Sequence, residues 1–118
     1  MAAQKRLICS SDALGEAGLG VRFKVKYFGA PAPAFVIRKQ GKVHGYLNRC
    51  AHVAMELDWQ EGVFFDFERR DLLCSTHGAT YDAETGRCLG GPCNGSPLLK
   101  LRVEEREGKV YFMGFEDD

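Results

Sequence analysis

Apolar and polar residues alternate in short runs along most of this sequence, and no longer run has the 3.6-residue period of a helix. The clearest alternation spans residues 21–27. Two further pairs of runs have the pattern of hairpins. Residues 34–37 and 43–47 flank Gln40-Gly41, and residues 99–103 and 110–112 flank Glu107-Gly108. Prolines at positions 31 and 33 predict a break, and residues 10–14 predict one helical turn. With fourteen glycines to form turns, the sequence predicts an all-β protein.

The length and charge of the chain limit what it can do. Its 118 residues are expected to form one domain, residues 1–118, with room for a core but not for a separate catalytic domain. Sixteen Lys and Arg balance sixteen Asp and Glu, so we expect no nucleic-acid partner. No run is apolar enough for a membrane anchor or an export signal. These features favour a cytoplasmic protein.

The middle of the chain differs in composition from both ends. Residues 48–97 contain four of the five cysteines and two of the three histidines. In a reducing compartment, cysteines more often bind metals or react than form disulfides. The sequence therefore predicts a β base made of residues 1–47 and 98–118, with a ligand-rich segment, residues 48–97, inserted into it.

Two short motifs in this segment each pair a thiol with an imidazole. They read Cys50-Ala51-His52 and Cys74-Ser75-Thr76-His77, and twenty-one residues separate His52 from Cys74. Spacings of one and two residues let a loop bring both side chains to one centre. Two sulfur and two nitrogen ligands suit a tetrahedral zinc ion, and they equally suit a cluster of two irons and two sulfides. The ligand count alone leaves both cofactors open.

The residues around the motifs favour the iron–sulfur cluster. The sequence resembles the Rieske family, whose motifs read C-x-H and C-x-x-H, and CSTHGATYDAETGRCLGGP resembles that family's second motif, strand, turn and proline loop. The resemblance implies an all-β fold, an antiparallel β-sandwich base with an inserted cluster-binding subdomain of two loops. It also implies one [2Fe-2S] cluster per chain, with metal ligands at Cys50, His52, Cys74 and His77. Both thiolates would bind one iron and both imidazoles the other.

The resemblance also assigns residues around the cluster. Gly78 follows the second motif, Pro92 belongs to the loop that would cover the cluster, and the Tyr81 hydroxyl would donate to a ligand sulfur. Ala79 stands where high-potential members have a serine that donates to a bridging sulfide. Hydrogen bonds to sulfur stabilise the reduced cluster. The missing donor therefore predicts a reduction potential in the lower half of the Rieske range.

The other cysteines and the aromatic residues have simpler interpretations. We expect a buried Cys88 thiol and an incidental Cys93 in preference to a local disulfide between them. Cys9 is expected to lie in the core, and His44 is expected to be structural. The aromatic stretch at residues 59–67 is expected to pack the inserted segment in preference to contacting a partner.

The function that the resemblance implies is that of a ferredoxin. Such a soluble one-electron carrier would take electrons from a flavin-dependent reductase and deliver them to a terminal oxygenase or a similar terminal reductase. It would be an electron-transfer component rather than a catalyst, because only His44 remains for a mononuclear iron site. One alternative is a small Rieske subunit of a redox enzyme such as nitrite reductase. Another is a zinc-stapled interaction module, which would be colourless.

Overall fold

The computed structural model describes residues 6–49, 56–58, 60–75, 78–91 and 96–115. Within these ranges the chain forms nine strands and one 3-10 turn, at Ser11–Ala13, where the sequence predicts a helical turn. The strands are β1 (Arg6–Ser10), β2 (Val21–Tyr27), β3 (Ala30–Lys39), β4 (Lys42–Leu47), β5 (Leu72–Leu73), β6 (Thr80–Tyr81), β7 (Cys88–Gly90), β8 (Lys100–Arg106) and β9 (Lys109–Phe115). The predicted all-β fold is confirmed. No helix in this part of the chain is long and apolar enough to cross a membrane.

The strands form two antiparallel sheets. Six make the larger sheet in the order β1-β9-β8-β4-β3-β2, and three make a small sheet in the order β5-β6-β7. The edge strands of the larger sheet approach each other, since the Arg6 guanidinium on β1 donates to the Lys24 carbonyl on β2. The sheet therefore curls around an apolar interior, whose buried members come from five strands: Val25, Ala34, Leu47, Leu101 and Phe112.

Three two-residue turns connect neighbouring strands of the larger sheet. Phe28-Gly29, Gln40-Gly41 and Glu107-Gly108 all have positive φ at both positions. Such turns are of type I′, whose twist matches that of the strands they join. The hairpins predicted at residues 40–41 and 107–108 are confirmed. The hairpin at residues 28–29 has no counterpart among the predictions.

The break predicted at Pro31 and Pro33 is wrong, because β3 runs through both prolines. Both residues pair with β2, whereas β4 pairs with β3 only from Ala34 onward. The Pro33 carbonyl accepts a hydrogen bond from the Asn48 amide, on the side away from β2. The nitrogen and carbonyl of a strand residue point to the same side. The missing proline N–H groups therefore remove no hydrogen bond from the β2–β3 ladder.

The small sheet packs on the larger one through a second apolar core. Phe35 and Tyr46 of the larger sheet meet Phe64, whose ring stacks on Phe35 with 3.8 Å between the centroids. The Tyr46 hydroxyl donates to the Ala83 carbonyl at 2.8 Å, in the turn between β6 and β7. All four residues are buried. This core fixes the small sheet, which carries the second ligand motif, on the face of the larger sheet.

His44 on β4 lies at the edge of the contact between the sheets. Its Nδ1 is 3.3 Å from Lys100 Nζ. Its Nε2 is buried and has no hydrogen-bond partner among the residues that the structure describes. Burial, and then the positive charge of Lys100, lower the pKa of His44 below its usual value. The folded chain therefore disfavours a charged imidazole at this position.

His44 should make the folded chain less stable as the pH falls. Its pKa in the folded chain lies below the value of about 6.5 expected in the unfolded chain, so the unfolded chain takes up this proton first. We expect the free energy of unfolding of the wild-type chain to decrease relative to that of His44→Gln between about pH 7 and about pH 5. Urea unfolding of both proteins across this range measures the difference. Parallel pH profiles would contradict the expectation.

Candidate metal centre

The second ligand motif lies in a tight turn at one end of the small sheet. Strand β5 leads directly into Cys74, whose amide donates to the Ala79 carbonyl at 2.8 Å. The Gly78 amide donates back to the Cys74 carbonyl, also at 2.8 Å. Cys74 is fully buried and is a thiol rather than half of a disulfide. The turn thus presents one predicted sulfur ligand from a fixed backbone, while His77, the other ligand of this motif, lies outside the described residues.

Strand β7 brings a glycine loop against this turn. Gly91 has φ +82°, and a Cβ atom built on it would lie 2.9 Å from both the Ala79 Cα and the Gly78 carbonyl oxygen. Only a residue without a side chain permits this approach. Gly91 therefore allows the start of the predicted proline loop to pack against Gly78 and Ala79, which follow the second motif. Pro92, the next residue, is not among the described residues.

Replacing Gly91 with alanine should destabilise the fold more than the same change at Gly41. Both positions have positive φ, but a Cβ atom at Gly41 would meet nothing within 4 Å. Gly41→Ala therefore reports the backbone strain alone, about 1 kcal/mol. Gly91→Ala adds the overlap with the second motif, for a total of about 2–4 kcal/mol. Thermal unfolding of the two variants compares them, and equal losses would show that the loop does not rest on the turn.

The first ligand motif belongs to a loop whose two ends are joined by a buried polar network. Asn48 precedes the motif and Asp58 follows it, and both are buried. Asn48 Nδ2 donates to Asp58 Oδ1 at 2.9 Å, and Asn48 Oδ1 accepts from the Leu57 amide at 2.8 Å. Asp58 Oδ2 accepts from the Gly62 amide at 2.9 Å. Because every side-chain polar atom of this pair has a partner, the network stabilises the loop ends rather than opposing their burial.

Arg22 on β2 supplies the positive charge that this network needs. Its guanidinium lies 3.5 Å from the Asp58 carboxylate and 2.6 Å from that of Glu56. The Asp58 side chain has no exposed surface, and a buried carboxylate is tolerated only when it is paired. The Ser75 amide donates to the Leu57 carbonyl at 3.1 Å, which links the end of the first loop to the second motif. Described residues thus connect the ends of the two predicted ligand loops. Cys50 and His52 themselves are not among the described residues.

Neither Asn48 nor Asp58 was singled out by the motifs. What could have identified them in the sequence is their position. Asn48 has an amide and precedes the C-x-H motif, and Asp58 has a carboxylate and follows it. Side chains of this kind at the two ends of a ligand loop can close it by a hydrogen bond. The spacing alone does not show that both are buried, which is what makes the pair effective.

Tyr81 lies fully buried in the middle strand of the small sheet. It pairs with Leu72 on one side and with Cys88 on the other. Its backbone is therefore fixed beside β5, the strand that leads into Cys74. The hydrogen bond from its hydroxyl to a ligand sulfur stays a prediction.

Cys88 is disulfide-bonded, so the expectation of a buried thiol at this position is wrong. Cys9 and Cys74 are thiols, and the two remaining cysteines, Cys50 and Cys93, lie outside the described residues. Cys88 is half-buried against the core between the sheets, beside the loop that begins at Gly90. Sequence spacing cannot reveal such a bond, because the separation of the Cα atoms decides it.

The aromatic stretch divides into two environments. Phe64 and Phe65 are buried, which confirms the packing role expected of them. Phe67 is fully exposed, so for this residue the expectation is wrong. It lies in a loop closed by a hydrogen bond, in which the Asp66 carboxylate accepts from the Arg70 amide at 2.9 Å. Trp59 is outside the described ranges.

A curled antiparallel sheet that carries a small sheet, with the buried Cys74 thiol in the turn after β5, defines a small all-β protein. A family model described as the Rieske [2Fe-2S] domain matches residues 4–105. The chain belongs to this family, and its cofactor is a [2Fe-2S] cluster. No curated protein sequence matches it at a significant level.

Solved structures share the fold. The ferredoxin of carbazole 1,9a-dioxygenase from Nocardioides aromaticivorans IC177 has a TM-score of 0.74 at 23% identity, over 93% of this chain and 97% of that one. The ferredoxin of Sphingomonas yanoikuyae B1 has a TM-score of 0.70 at 23% identity, over 93% and 98%. A chain in the complex of reduced oxygenase and oxidized ferredoxin of carbazole 1,9a-dioxygenase has a TM-score of 0.72 at 24% identity, over 94% of each chain. At these identities the likeness shows the antiparallel β fold.

The described residues fit the cofactor of the family. A thiolate is the ligand that iron–sulfur clusters require, and Cys74 offers one from a turn that two backbone hydrogen bonds between Cys74, Gly78 and Ala79 close. Gly78 and Gly91 keep side chains away from the surface of this turn. When bound, the cluster supplies reversible acceptance of a single electron.

Proposed function

We propose that this chain is a Rieske ferredoxin, a one-electron carrier that delivers electrons to a terminal oxygenase. The observation that carries the proposal is the closed turn that presents the buried Cys74 thiol, in a chain that matches the Rieske family over residues 4–105. This sequence covers 97% and 98% of the lengths of the two ferredoxins compared above. The match to a terminal oxygenase covers only 31% of that chain. The sequence therefore matches nearly the whole of those ferredoxins and only a part of that oxygenase.

We assign the cluster ligands to the two motifs. Cys50 and Cys74 hold one iron through thiolates, and His52 and His77 hold the other through neutral imidazoles. Around them, Gly78 and the loop of Pro92 shape the surface, and Tyr81 donates to a ligand sulfur. In this arrangement residues 48–97 form the cluster-binding subdomain, and residues 1–47 and 98–118 form the base. The support comes from the network of Asn48 and Asp58 and from the turn at Cys74, which tie both motifs to the base.

The partners of this carrier are proposed on chemical grounds. A solved complex pairs a ferredoxin with the oxygenase of carbazole 1,9a-dioxygenase, and its matching chain shares this fold. We assign the same kind of acceptor here, and a flavin-dependent reductase as the donor, because a flavin can divide two electrons into single steps. We also propose a cytoplasmic location for this carrier.

The proposal is tested by the composition and redox chemistry of the purified protein. We expect equal iron and acid-labile sulfide, and reduction by one electron per cluster. Cys74→Ser should lose both. Cys9→Ser is the matched control and should lose neither, because Cys9 is a half-buried thiol packed with the interior of the larger sheet. A colourless protein with zinc and no sulfide would contradict the proposal.

A further inference from the structure

The tip of the β2–β3 hairpin carries a side chain that its backbone does not favour. Phe28 occupies the first position of the type I′ turn with φ 52°, and it is 90% exposed. The equivalent positions in the other two hairpins hold Gln40 and Glu107, with φ 55° and 52°. This turn prefers Asn, Asp or Gly, and a bulky residue at positive φ is an outlier. An exposed phenyl ring here improves neither the turn nor the core.

The tip is an aromatic surface next to Arg49, the residue before the first ligand motif. The Phe28 ring lies 4.5 Å from that of Tyr27, which lies 5.5 Å from that of Phe115. The guanidinium of Arg49 lies over Tyr27, 5.9 Å from the ring centroid. Arg49 directly precedes Cys50, the first proposed ligand. We call Tyr27, Phe28, Phe115 and Arg49, with Lys26 beside them, the tip surface.

The hairpin extends beyond its neighbour at the end of the sheet where the ligand loop begins. Strand β3 starts at Ala30, but its pairing with β4 starts only at Ala34, opposite Leu47. The hairpin therefore overhangs β4 by about 13 Å, at about 3.3 Å per residue. The chain leaves β4 toward Cys50 alongside this overhang, since the Asn48 amide bonds to the Pro33 carbonyl. A protein that approaches the chain at Arg49, just before the first motif, would meet the tip.

Among the described residues, the charges around the tip are positive. No Asp or Glu occurs between Glu16 and Glu56, although this stretch contains seven Lys and Arg. Arg22 is paired with Glu56, and Arg38 with Glu105. Lys24, Lys26 and Arg49 are exposed and form no ion pair within the part of the chain that is described. These unpaired charges would attract an acidic surface.

We infer that the tip surface is a docking site for the electron-accepting protein, which meets it with an acidic rim around an apolar centre. This inference rests on the proposed function and names the partner surface for it. Exposed aromatic rings surrounded by charge are the usual anchors of protein interfaces. The basic residues increase the rate of encounter, and Phe28 holds the complex at the first ligand motif.

The test uses two acceptors of opposite charge. The chain is reduced with dithionite, and the reduction of the acidic haem domain of cytochrome b5 is followed by stopped flow at low salt. We expect Lys26→Glu to lower the second-order rate constant about tenfold and Phe28→Asn to lower it about fivefold. High salt should remove the effect of Lys26→Glu. With cytochrome c, a basic acceptor, Lys26→Glu should raise the rate.

Matched controls come from the other end of the molecule. Lys42→Glu changes another exposed lysine, beside the Gln40-Gly41 turn, and Phe67→Asn removes the other highly exposed phenyl ring. Both should leave the rates unchanged. Phe28→Asn should also keep or raise the melting temperature, because asparagine suits the turn. A fall in melting temperature together with an unchanged rate would make Phe28 a structural residue and overturn the inference.

The remaining outcomes are separable. If no variant or wild-type protein reduces either haem, the proposed function fails. If all variants reduce both haems at the wild-type rate, only the docking site fails. The other candidate occupant is the acidic tail, Glu116, Asp117 and Asp118, which follows Phe115. A rate that responds to deletion of this tail and not to Lys26→Glu or Phe28→Asn would assign the surface to the tail and overturn the inference.

Discussion

The Asp58→Ala variant is expected to lose about 2–4 kcal/mol of folding free energy and most of its iron. The substitution leaves Asn48 Nδ2 and the Gly62 amide buried without acceptors. Each unsatisfied buried donor costs about 1–3 kcal/mol. Since Asn48 and Asp58 close the loop that contains Cys50 and His52, loss of the network should also misplace these ligands. Urea unfolding measures the first effect, and iron per chain measures the second.

Two further variants separate the network from charge. Glu61→Gln also removes a carboxylate near Arg22, but this side chain is 79% exposed and lies 4.0 Å away, so we expect a loss of less than about 0.5 kcal/mol and full iron. The double variant Asn48→Asp with Asp58→Asn exchanges the amide and the carboxylate, so that one side chain still donates a hydrogen bond to the other. It should recover iron that Asp58→Ala loses. An Asp58→Ala protein with wild-type stability and iron would refute the role of the network.

His77→Cys is expected to lower the reduction potential of the cluster by on the order of 100 mV or more. A neutral imidazole is replaced by an anionic thiolate, which makes the oxidised state more favourable. Clusters with four cysteines lie near about −400 mV, whereas Rieske clusters lie between about −150 and +300 mV. Protein-film voltammetry of both proteins at one pH measures the shift.

The control for this experiment is His44→Cys. His44 lies on β4 beside Lys100 and is not a proposed ligand, so the same chemical change there should leave the potential unaltered. Loss of the cluster from His77→Cys is measured separately by its iron content. A loaded His77→Cys protein with an unchanged or raised potential would show that His77 does not bind iron.

Features set by neighbouring residues could be predicted from the sequence. The hairpins at Gln40-Gly41 and Glu107-Gly108 depend on local alternation and on glycine in the turn, and both formed as expected. The C-x-x-H motif identifies Cys74 as a ligand, and this residue lies buried in a hydrogen-bonded turn. The motif carries this information because a metal site needs its ligands at short, fixed spacings.

Features set by distant contacts could not be predicted. Pro31 and Pro33 read as a break because local rules cannot show that β4 ends before it reaches them. The pairing of Asn48 with Asp58 depends on burial by the core between the sheets, and sequence spacing does not give burial. The disulfide of Cys88 likewise depends on distances that only the fold sets.

The most direct test is the low-temperature electron paramagnetic resonance spectrum of the dithionite-reduced protein. A cluster with two nitrogen ligands on its reducible iron gives a lower average g value than one with four thiolates, because imidazole changes the electronic structure of that iron. We expect the lower average g value. We also expect couplings of the electron spin to nitrogen nuclei, and part of these couplings should disappear in His77→Cys. A spectrum with the higher average g value of an all-cysteine cluster, or no signal from a protein that contains zinc, would contradict the assignment of Cys50, His52, Cys74 and His77 as ligands.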